Sequence, residues 1–246
     1  MTILELAVLV SLTAGLATGI GALPIIARRK PNRKTIDFWM GFAAGVMLAV
    51  VMLSLLMPAL DVAGVWVVSA SFAVGAFILF LADHIIPHVH DSRYEGRETS
   101  RTGVWLPAIA MAIHNFPEGL AVGVAFGSNN ISVGFAVALA VGIHNIPEGM
   151  AICAPLTTEC ESRPRLFMYS ILAGLAEPVG ALVGVILVSS IAGLIPFGLA
   201  FAAGAMIYVV SDEMVPESHS AGHESTATTG LIIGFILMMV MESMFA

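Results

Sequence analysis

This chain consists of long apolar runs separated by short polar segments. Each run is long enough to cross the roughly 30 Å hydrocarbon core of a bilayer as a helix. The pattern predicts an all-α polytopic membrane protein with eight transmembrane helices in one domain over residues 1–246. The predicted helices lie at about 4–27, 36–57, 65–86, 104–126, 131–156, 166–190, 195–215 and 228–245.

Composition agrees with the block pattern. The chain is 58% hydrophobic and only 11% charged, with a mean hydropathy of +0.95, values that ordinary soluble domains do not reach. Its two cysteines form neither a disulfide framework nor a C-x-x-C zinc pattern. We therefore expect the lipid bilayer as the surroundings, no nucleic-acid partner and no resident cofactor.

The basic residues predict the orientation of the helices. All ten lie in three alternate loops: Arg28, Arg29, Lys30, Arg33 and Lys34; Arg93, Arg97 and Arg101; Arg163 and Arg165. Loops rich in Lys and Arg stay in the cytoplasm. With eight helices, both termini are then expected outside.

Two polar hexads interrupt the apolar runs at about 104–126 and 131–156. They are His114-Asn115-Phe116-Pro117-Glu118-Gly119 and His144-Asn145-Ile146-Pro147-Glu148-Gly149. In each hexad His and Glu are four residues apart, so they share a helix face, which Asn broadens. An ionisable residue at the centre of a membrane helix costs about 2.5–3.5 kcal/mol on insertion scales, so such residues usually have a function.

The hexads lie on neighbouring antiparallel helices at similar depth, near the midplane. Similar motifs on such helices are related by a pseudo-twofold axis in the membrane plane, which predicts a 3+2+3 inverted-repeat arrangement. Glu177, in an otherwise apolar run, is expected at the same depth.

Three carboxylates, two imidazoles and two carboxamides at one level favour a metal site. Imidazole with carboxylate suits zinc, iron(II) and manganese, and a nearby thioether favours softer ions such as zinc and cadmium. Helix-to-helix hydrogen bonding is the alternative. It would explain a single His or Asn, but it does not require three acids.

Several segments in order along the whole chain resemble the ZIP (Zrt/Irt-like) family of divalent metal transporters, above all its bacterial GufA-type members. They are Gly41 to Met47, Asp83 to His90, the two hexads, Ala176 to Pro178, and Ser211 to Glu224. The resemblance implies an eight-helix fold with a central helix pair. It also implies import of zinc or related ions into the cytoplasm through a binuclear midplane site, with no enzymatic activity.

The resemblance also implies roles for individual residues. The first metal would be held by Met47, His114, Glu118, His144 and Glu148, and the second by Asn115, Glu118, Asn145, Glu148 and Glu177. The path would begin at Ser54 and Asp61 outside and end at Asp83, His88, His90, Asp212 and Glu213 inside. Some relatives carry Gln at the position of His144 and Asp at that of Asn145, so the second site is less anionic here.

Further expectations are transport by alternating access, a bacterial cytoplasmic (inner) membrane location, and a homodimer suggested by the resemblance and by small-residue helix faces. Two other functions were considered. An intramembrane metalloenzyme needs His-Glu-x-x-His, but the pair His223-Glu224 is followed by Ala227 at the required position. A proton-coupled carrier of an organic solute would use buried acids without two imidazoles in register. Ligand type alone leaves the choice among zinc, iron, manganese and cadmium open.

Overall fold

The computed structural model describes residues 1–27, 32–85, 88–90, 93–95, 106–128, 130–156 and 163–245. The described helices are α1 (Ile3–Ile26), α2 (Arg33–Ala49), α3 (Met57–Ile85), α4 (Leu106–Gly127), α5 (Ile131–Leu156), α6 (Arg163–Gly174), α7 (Ala176–Ser190), α8 (Ile195–Val209), α9 (Val215–His219) and α10 (Glu224–Phe245). A 3-10 turn spans Ala192–Leu194. Two three-residue strands, β1 (His88–His90) and β2 (Arg93–Glu95), pair antiparallel.

Six helical runs of the described chain are long and apolar enough to cross a membrane. They are Ile3–Pro24, Arg33–Ile85, Ile131–Met150, Pro164–Ser190, Ile195–His219 and Glu224–Met244. Apart from the small strand pair, the described elements are helical. The structure thus confirms a polytopic helical membrane protein.

The run from Arg33 to Ile85 departs from the predicted boundaries. Its 53 residues would extend about 80 Å if straight, far more than one crossing needs. The break falls at Gly64, which has φ 71° and ψ 163°, a conformation that glycine adopts without a Cβ penalty. The sequence predicted a gap between a helix that ends at 57 and one that begins at 65. In the structure the helix continues through Pro58, and the break is confined to Gly64.

Two segments of π-helix interrupt the helical runs: Val50–Leu56, between α2 and α3, and Val210–Met214, between α8 and α9. Each is followed closely by a proline, Pro58 or Pro216, which has no N–H to donate. The N–H just before that proline reaches five residues back, from Met57 to Met52 and from Val215 to Val210. Such π segments often occur at functional sites.

Two other helix ends have local causes. Pro178 cannot donate to the carbonyl of Gly174, and the predicted helix 166–190 is interrupted at Leu175. The last helix begins at Glu224 rather than at about 228. Its first turn is closed by the backbone carbonyl of His223, which accepts from the N–H groups of Thr226 and Ala227.

The helices pack in pairs: α1 along α5, α4 along α7, α2 along α10, and α3 along α8. Glycines permit close approach in each pair. A Cβ at Gly45 of α2 would collide with the carbonyl of Leu231 on α10, and one at Gly234 of α10 with the carbonyl of Phe42 on α2. Small residues at helix interfaces of this kind are typical of membrane bundles.

The pairs form two sets. The first set contains α1, α4, α5, α6 and α7, and the second contains α2, α3, α8, α9 and α10. They meet mainly where α2 lies against α5 and α4 lies against α8. The two hexad helices therefore form the surface of the first set that faces the second.

Candidate metal centre

Both hexads are buried where α4 and α5 meet the rest of the bundle. The exposed fractions are 6% for His114, 0% for Asn115, 1% for Glu118, 1% for His144, 0% for Asn145 and 9% for Glu148, with 0% for Glu177 on the first turn of α7. Ionisable groups this deep in a membrane bundle need partners or a bound cation.

Glu118, His144 and Glu148 form a group that we call the central cluster. Each offers one ligand atom, and these atoms lie within 4.8 Å of one another. His144 Nε2 is 3.0 Å from Glu118 Oε1 and 3.7 Å from Glu148 Oε2. One imidazole between two carboxylates is a common ligand set for zinc and similar divalent ions.

Asp83, His114 and Glu213 form a second group, the inner cluster, again with ligand atoms within 4.8 Å of one another. His114 Nε2 is 2.8 Å from Glu213 Oε1. The resemblance assigned His114 to the first metal and the two acids to the inner path. The structure places this imidazole directly beside those acids, which join it from α3 and from the π segment after α8.

A small cavity of about 50 Å³ is lined by members of both clusters. Glu148 of the central cluster lines it together with His114 and Glu213 of the inner cluster. Glu217, Met40 and Met214 also contribute to its wall. The space between Glu148 and the inner cluster is therefore lined in part by polar side chains.

Asn145 joins the centre to α1 and α7. Its Nδ2 donates to Glu177 Oε1 at 2.6 Å and to the backbone carbonyl of Ala14 at 2.9 Å. Both N–H groups of the carboxamide are thereby used. Asn145 Oδ1 and Glu177 Oε2, both buried, have no hydrogen-bond partner within the described residues.

Other buried polar atoms near the hexads also lack hydrogen bonds within the part of the chain that the structure describes. They include Oδ1 and Nδ2 of Asn115 and Oε2 of Glu118. Buried polar groups without partners are rare in native proteins, and each asks for an explanation such as a bound ion or water.

The glycine that ends each hexad permits a close helix contact. A Cβ at Gly119 would collide with the backbone of Glu177, and one at Gly149 with the backbone of Thr18 on α1. Gly119 therefore sets the distance between the first hexad and Glu177. Ser11 and Thr18 of α1 are fully buried, and their hydroxyls have no hydrogen-bond partner among the described residues.

Met47 is buried, with 1% exposed, on α2, the helix that lies against α5. At the predicted outer mouth, Ser54 is fully buried and its hydroxyl donates to Glu242 Oε2 at 2.8 Å. Asp61 is exposed. Glu242 was not predicted from the sequence, although a lone carboxylate near the end of the last apolar run is itself a signal.

At the predicted inner mouth Asp83 is 2% exposed, whereas Asp212 is exposed. The side chains of His88 and His90 lie outside the described residues. A further contact was not predicted from the sequence: Asp37, fully buried on α2, accepts from Arg33 Nε at 2.8 Å and lies 2.8 Å from His223 Nδ1. This ion-pair group ties the start of α2 to the start of α10.

Comparison with known proteins adds a family to this geometry. The family model described as ZIP Zinc transporter matches residues 90–242. Zinc transporter GufA of Myxococcus xanthus is 40% identical over 243 residues, which cover 94% of this chain and 96% of that protein. Zinc transporter ZIPB of Bordetella bronchiseptica is 39% identical over 238 residues, covering 92% and 77%. Zinc transporter ZupT of Chlorobaculum parvum is 40% identical over 254 residues, covering 94% of both chains.

Proposed function

The chain belongs to the ZIP family, and on that premise we propose that it imports divalent metal ions, zinc foremost, into the cytoplasm. The observation that carries the proposal is the central cluster, in which an imidazole and two carboxylates lie within 4.8 Å of one another and are nine-tenths or more buried. Among the described neighbours of the hexads, no buried Lys or Arg side chain neutralises these acids. A transported cation would do so.

The centre is proposed to hold two ions. The first lies in the central cluster, with His114 and the thioether of Met47 as further ligands contributed by α4 and α2. The second is held by Asn115, Asn145 and Glu177, with Glu118 and Glu148 shared by both ions. Support for the second comes from the unpartnered oxygens of Asn145 and Glu177. Because Asn145 is neutral, this site attracts a cation less strongly.

Ions are proposed to enter past Asp61, Ser54 and Glu242 and to leave through the inner cluster toward Asp212. The described side chains along this route alternate carboxylates with hydroxyl and imidazole groups. Each of these side chains can bind an ion briefly and pass it to the next one. A path of weak sites lets ions leave as well as enter.

Eight spans in a 3+2+3 arrangement are part of the proposal, with both termini outside. Two observations support the count: Gly64 divides the longest helical run, and α4 has 22 residues, about 33 Å of helix. The pairing supports the repeat. Exchanging α1 with α6–α7, α2 with α8, α3 with α10 and α4 with α5 turns every helix pair into another observed pair.

Alternating access is the proposed mechanism. The first set of helices carries both hexads and Glu177, while the second set carries Met47, Ser54, Asp83 and Glu213. The midplane ligands are therefore mostly on one set, and the path residues toward both surfaces mostly on the other. Movement of one set against the other would expose the centre to each side in turn.

Large apolar side chains face outward, for example Trp66 at 86%, Phe77 at 58% and Val179 at 54% exposed. Such surfaces suit hydrocarbon. The proposed setting is the inner membrane of a bacterium, and the proposed assembly is a homodimer. Light scattering on the detergent-solubilised protein measures the assembly directly.

The test is zinc uptake by proteoliposomes carrying the double variant Glu118→Ala/Glu148→Ala. We expect uptake to collapse to the level of empty liposomes. The matched control is Glu5→Ala/Glu224→Ala, which removes two exposed carboxylates and should leave uptake unchanged. Undiminished zinc flux in the first variant would show that the central cluster is not the transport site.

A carrier of an organic solute is the alternative that needs a separate measurement. Zinc, cadmium, manganese or iron(II) should each raise the unfolding temperature of the detergent-solubilised protein if it binds in the centre, because a ligand of the folded state stabilises that state. The ion that stabilises most is the one that the centre binds most strongly. A carrier indifferent to metal would show no shift with any of them.

A further inference from the structure

Tyr208, on the last turn of α8, contacts two carboxylates of the inner path. Its hydroxyl donates to Asp83 Oδ2 at 2.9 Å and lies 3.4 Å from Oδ2 of Asp212, four residues later. Asp83 is a buried member of the inner cluster, whereas Asp212 is exposed. One hydroxyl therefore lies between the last buried carboxylate of the path and the first exposed one.

The geometry gives this hydroxyl a direction. A phenol has one proton to donate, and the distances show that it goes to Asp83, with Asp212 as the second acceptor. The ring is held independently, since Phe80 of α3 packs edge-on against it with centroids 6.2 Å apart. The hydroxyl is thus placed by the ring packing and is not required to hold α3 and α8 together, because Gly75 and Gly204 already bring these helices into backbone contact.

A hydrogen bond changes what a carboxylate offers to a metal. An oxygen that accepts a donor shares its negative charge with that donor, so it binds a cation less strongly and is fixed in orientation. With Oδ2 held by Tyr208, the ligand atom that Asp83 offers beside His114 and Glu213 belongs to a carboxylate of fixed orientation. Asp83 becomes an oriented but weak ligand, as a release site requires.

We propose that Tyr208 is a positioning residue for ion release: its hydroxyl orients Asp83 and limits that carboxylate's hold on the ion, so that the ion passes on to Asp212. The inference rests on the proposed transport function and adds a residue and a step to it. Once an ion occupies Asp83, the same hydroxyl can turn to Asp212 and prepare the inner cluster for the next ion.

The first experiment compares Tyr208→Phe with Tyr169→Phe in zinc uptake by proteoliposomes. Tyr208→Phe keeps the ring and removes the hydroxyl. We expect the maximal rate to fall at least about 10-fold, as for loss of one hydrogen bond to a charged group, while KM stays equal or decreases because the ion is held longer. Tyr169→Phe, which removes a hydroxyl from another span, should keep both constants. An increased KM with an unchanged maximal rate would overturn the proposal.

A double-variant cycle separates a role through Asp83 from general damage. In an Asp83→Asn background the hydroxyl has no carboxylate to weaken, so adding Tyr208→Phe should change the residual rate less than twofold. Additive losses would mean that Tyr208 acts elsewhere. If the wild type transports zinc and Glu118→Ala/Glu148→Ala does not, while Tyr208→Phe equals the wild type, the transport function stands and only the role of Tyr208 is refuted.

A spectroscopic measurement covers the case in which Tyr208→Phe does not fold. The chain has three tyrosines, so Tyr94→Phe/Tyr169→Phe leaves Tyr208 as the only one. Labelled with 3-fluorotyrosine, this variant should give one fluorine resonance that moves when zinc is added and does not move in an Asp83→Asn background. A resonance that ignores zinc would contradict the proposal.

Discussion

The two hexads have almost the same sequence but different surroundings. The hexad on α4 lies against α7, which supplies Glu177, and the hexad on α5 lies against α1, which supplies Thr18 at the matching contact. Both contacts are backbone approaches permitted by the final glycine of the hexad. The same local sequence thus packs against the backbone of Glu177 on one side and against that of Thr18 on the other.

The imidazoles and carboxamides differ in the same way. His144 lies between Glu118 and Glu148 in the central cluster, while His114 turns to Glu213 in the inner cluster. The side chain of Asn145 donates to Glu177 and Ala14, while the side chain of Asn115 makes no hydrogen bond within the described residues. The duplicated motif therefore has two different surroundings, and under the proposed function His144 would centre the ion while His114 would connect it to the way out.

The largest expected effect comes from replacing the glutamate of either hexad, Glu118 or Glu148. Glu118→Gln and Glu148→Gln each remove a charge from the central cluster while keeping the side-chain shape. Zinc uptake should fall more than about 100-fold for each, since loss of outer-shell partners alone costs about 10- to 100-fold at metal sites. Uptake by proteoliposomes measures it. If only one of the two matters, the copies are less alike than the geometry indicates.

The imidazoles should show the difference between the copies most directly. His144→Ala removes the nitrogen between two carboxylates, and zinc uptake should fall by about 100-fold, at or above the upper end of the loss for an outer-shell partner. His114→Ala should lose about 10-fold, the lower end of that range, because His114 lies beside Glu213 in the inner cluster. Expression and size-exclusion profiles serve as the control for folding. Equal losses would mean that both imidazoles hold the same ion and that the two clusters act as one.

The hexad glycines test the shared part of the comparison. Gly119→Ala and Gly149→Ala each force a methyl group into a neighbouring backbone, and overpacking of this kind costs about 1–3 kcal/mol. The unfolding temperature in detergent should fall for both. The control is Gly142→Ala on α5, where the nearest atom to a new Cβ is 3.6 Å away. A loss in the control as large as in the hexads would contradict the close-contact argument.

The carboxamides give the smallest expected difference. Asn145→Ala leaves Glu177 Oε1 and the Ala14 carbonyl without their donor, so the metal-free protein should be less stable than Asn115→Ala by about 1 kcal/mol. Chemical or thermal unfolding in the presence of a chelator measures this. Equal stability of the two variants would show that the hydrogen bonds of Asn145 are replaced by water.

Much of the architecture followed from the order of residues. The free energy of placing an apolar run or an acid in a bilayer depends on the segment itself. The helical membrane fold and the burial of the hexads were therefore predicted without knowledge of any contact. The exact breaks were harder. The helix is broken at Gly64 by the backbone conformation of that glycine, and at Leu175 because Pro178 lacks an N–H. The pattern of apolar residues does not reveal either break.

The sequence by itself determined which chemical groups are buried, because each group's transfer cost and its helix face are local properties. Tertiary structure decided which of these groups meet. His114 and His144 are equivalent by spacing, and only the packing of α4 and α5 against different helices assigns one to Glu213 and the other to Glu118. The same holds for Tyr208 and Asp83, and for Ser54 and Glu242, which lie 125 and 188 residues apart in the chain. Contacts at such separations depend on the whole bundle, and no local pattern encodes them.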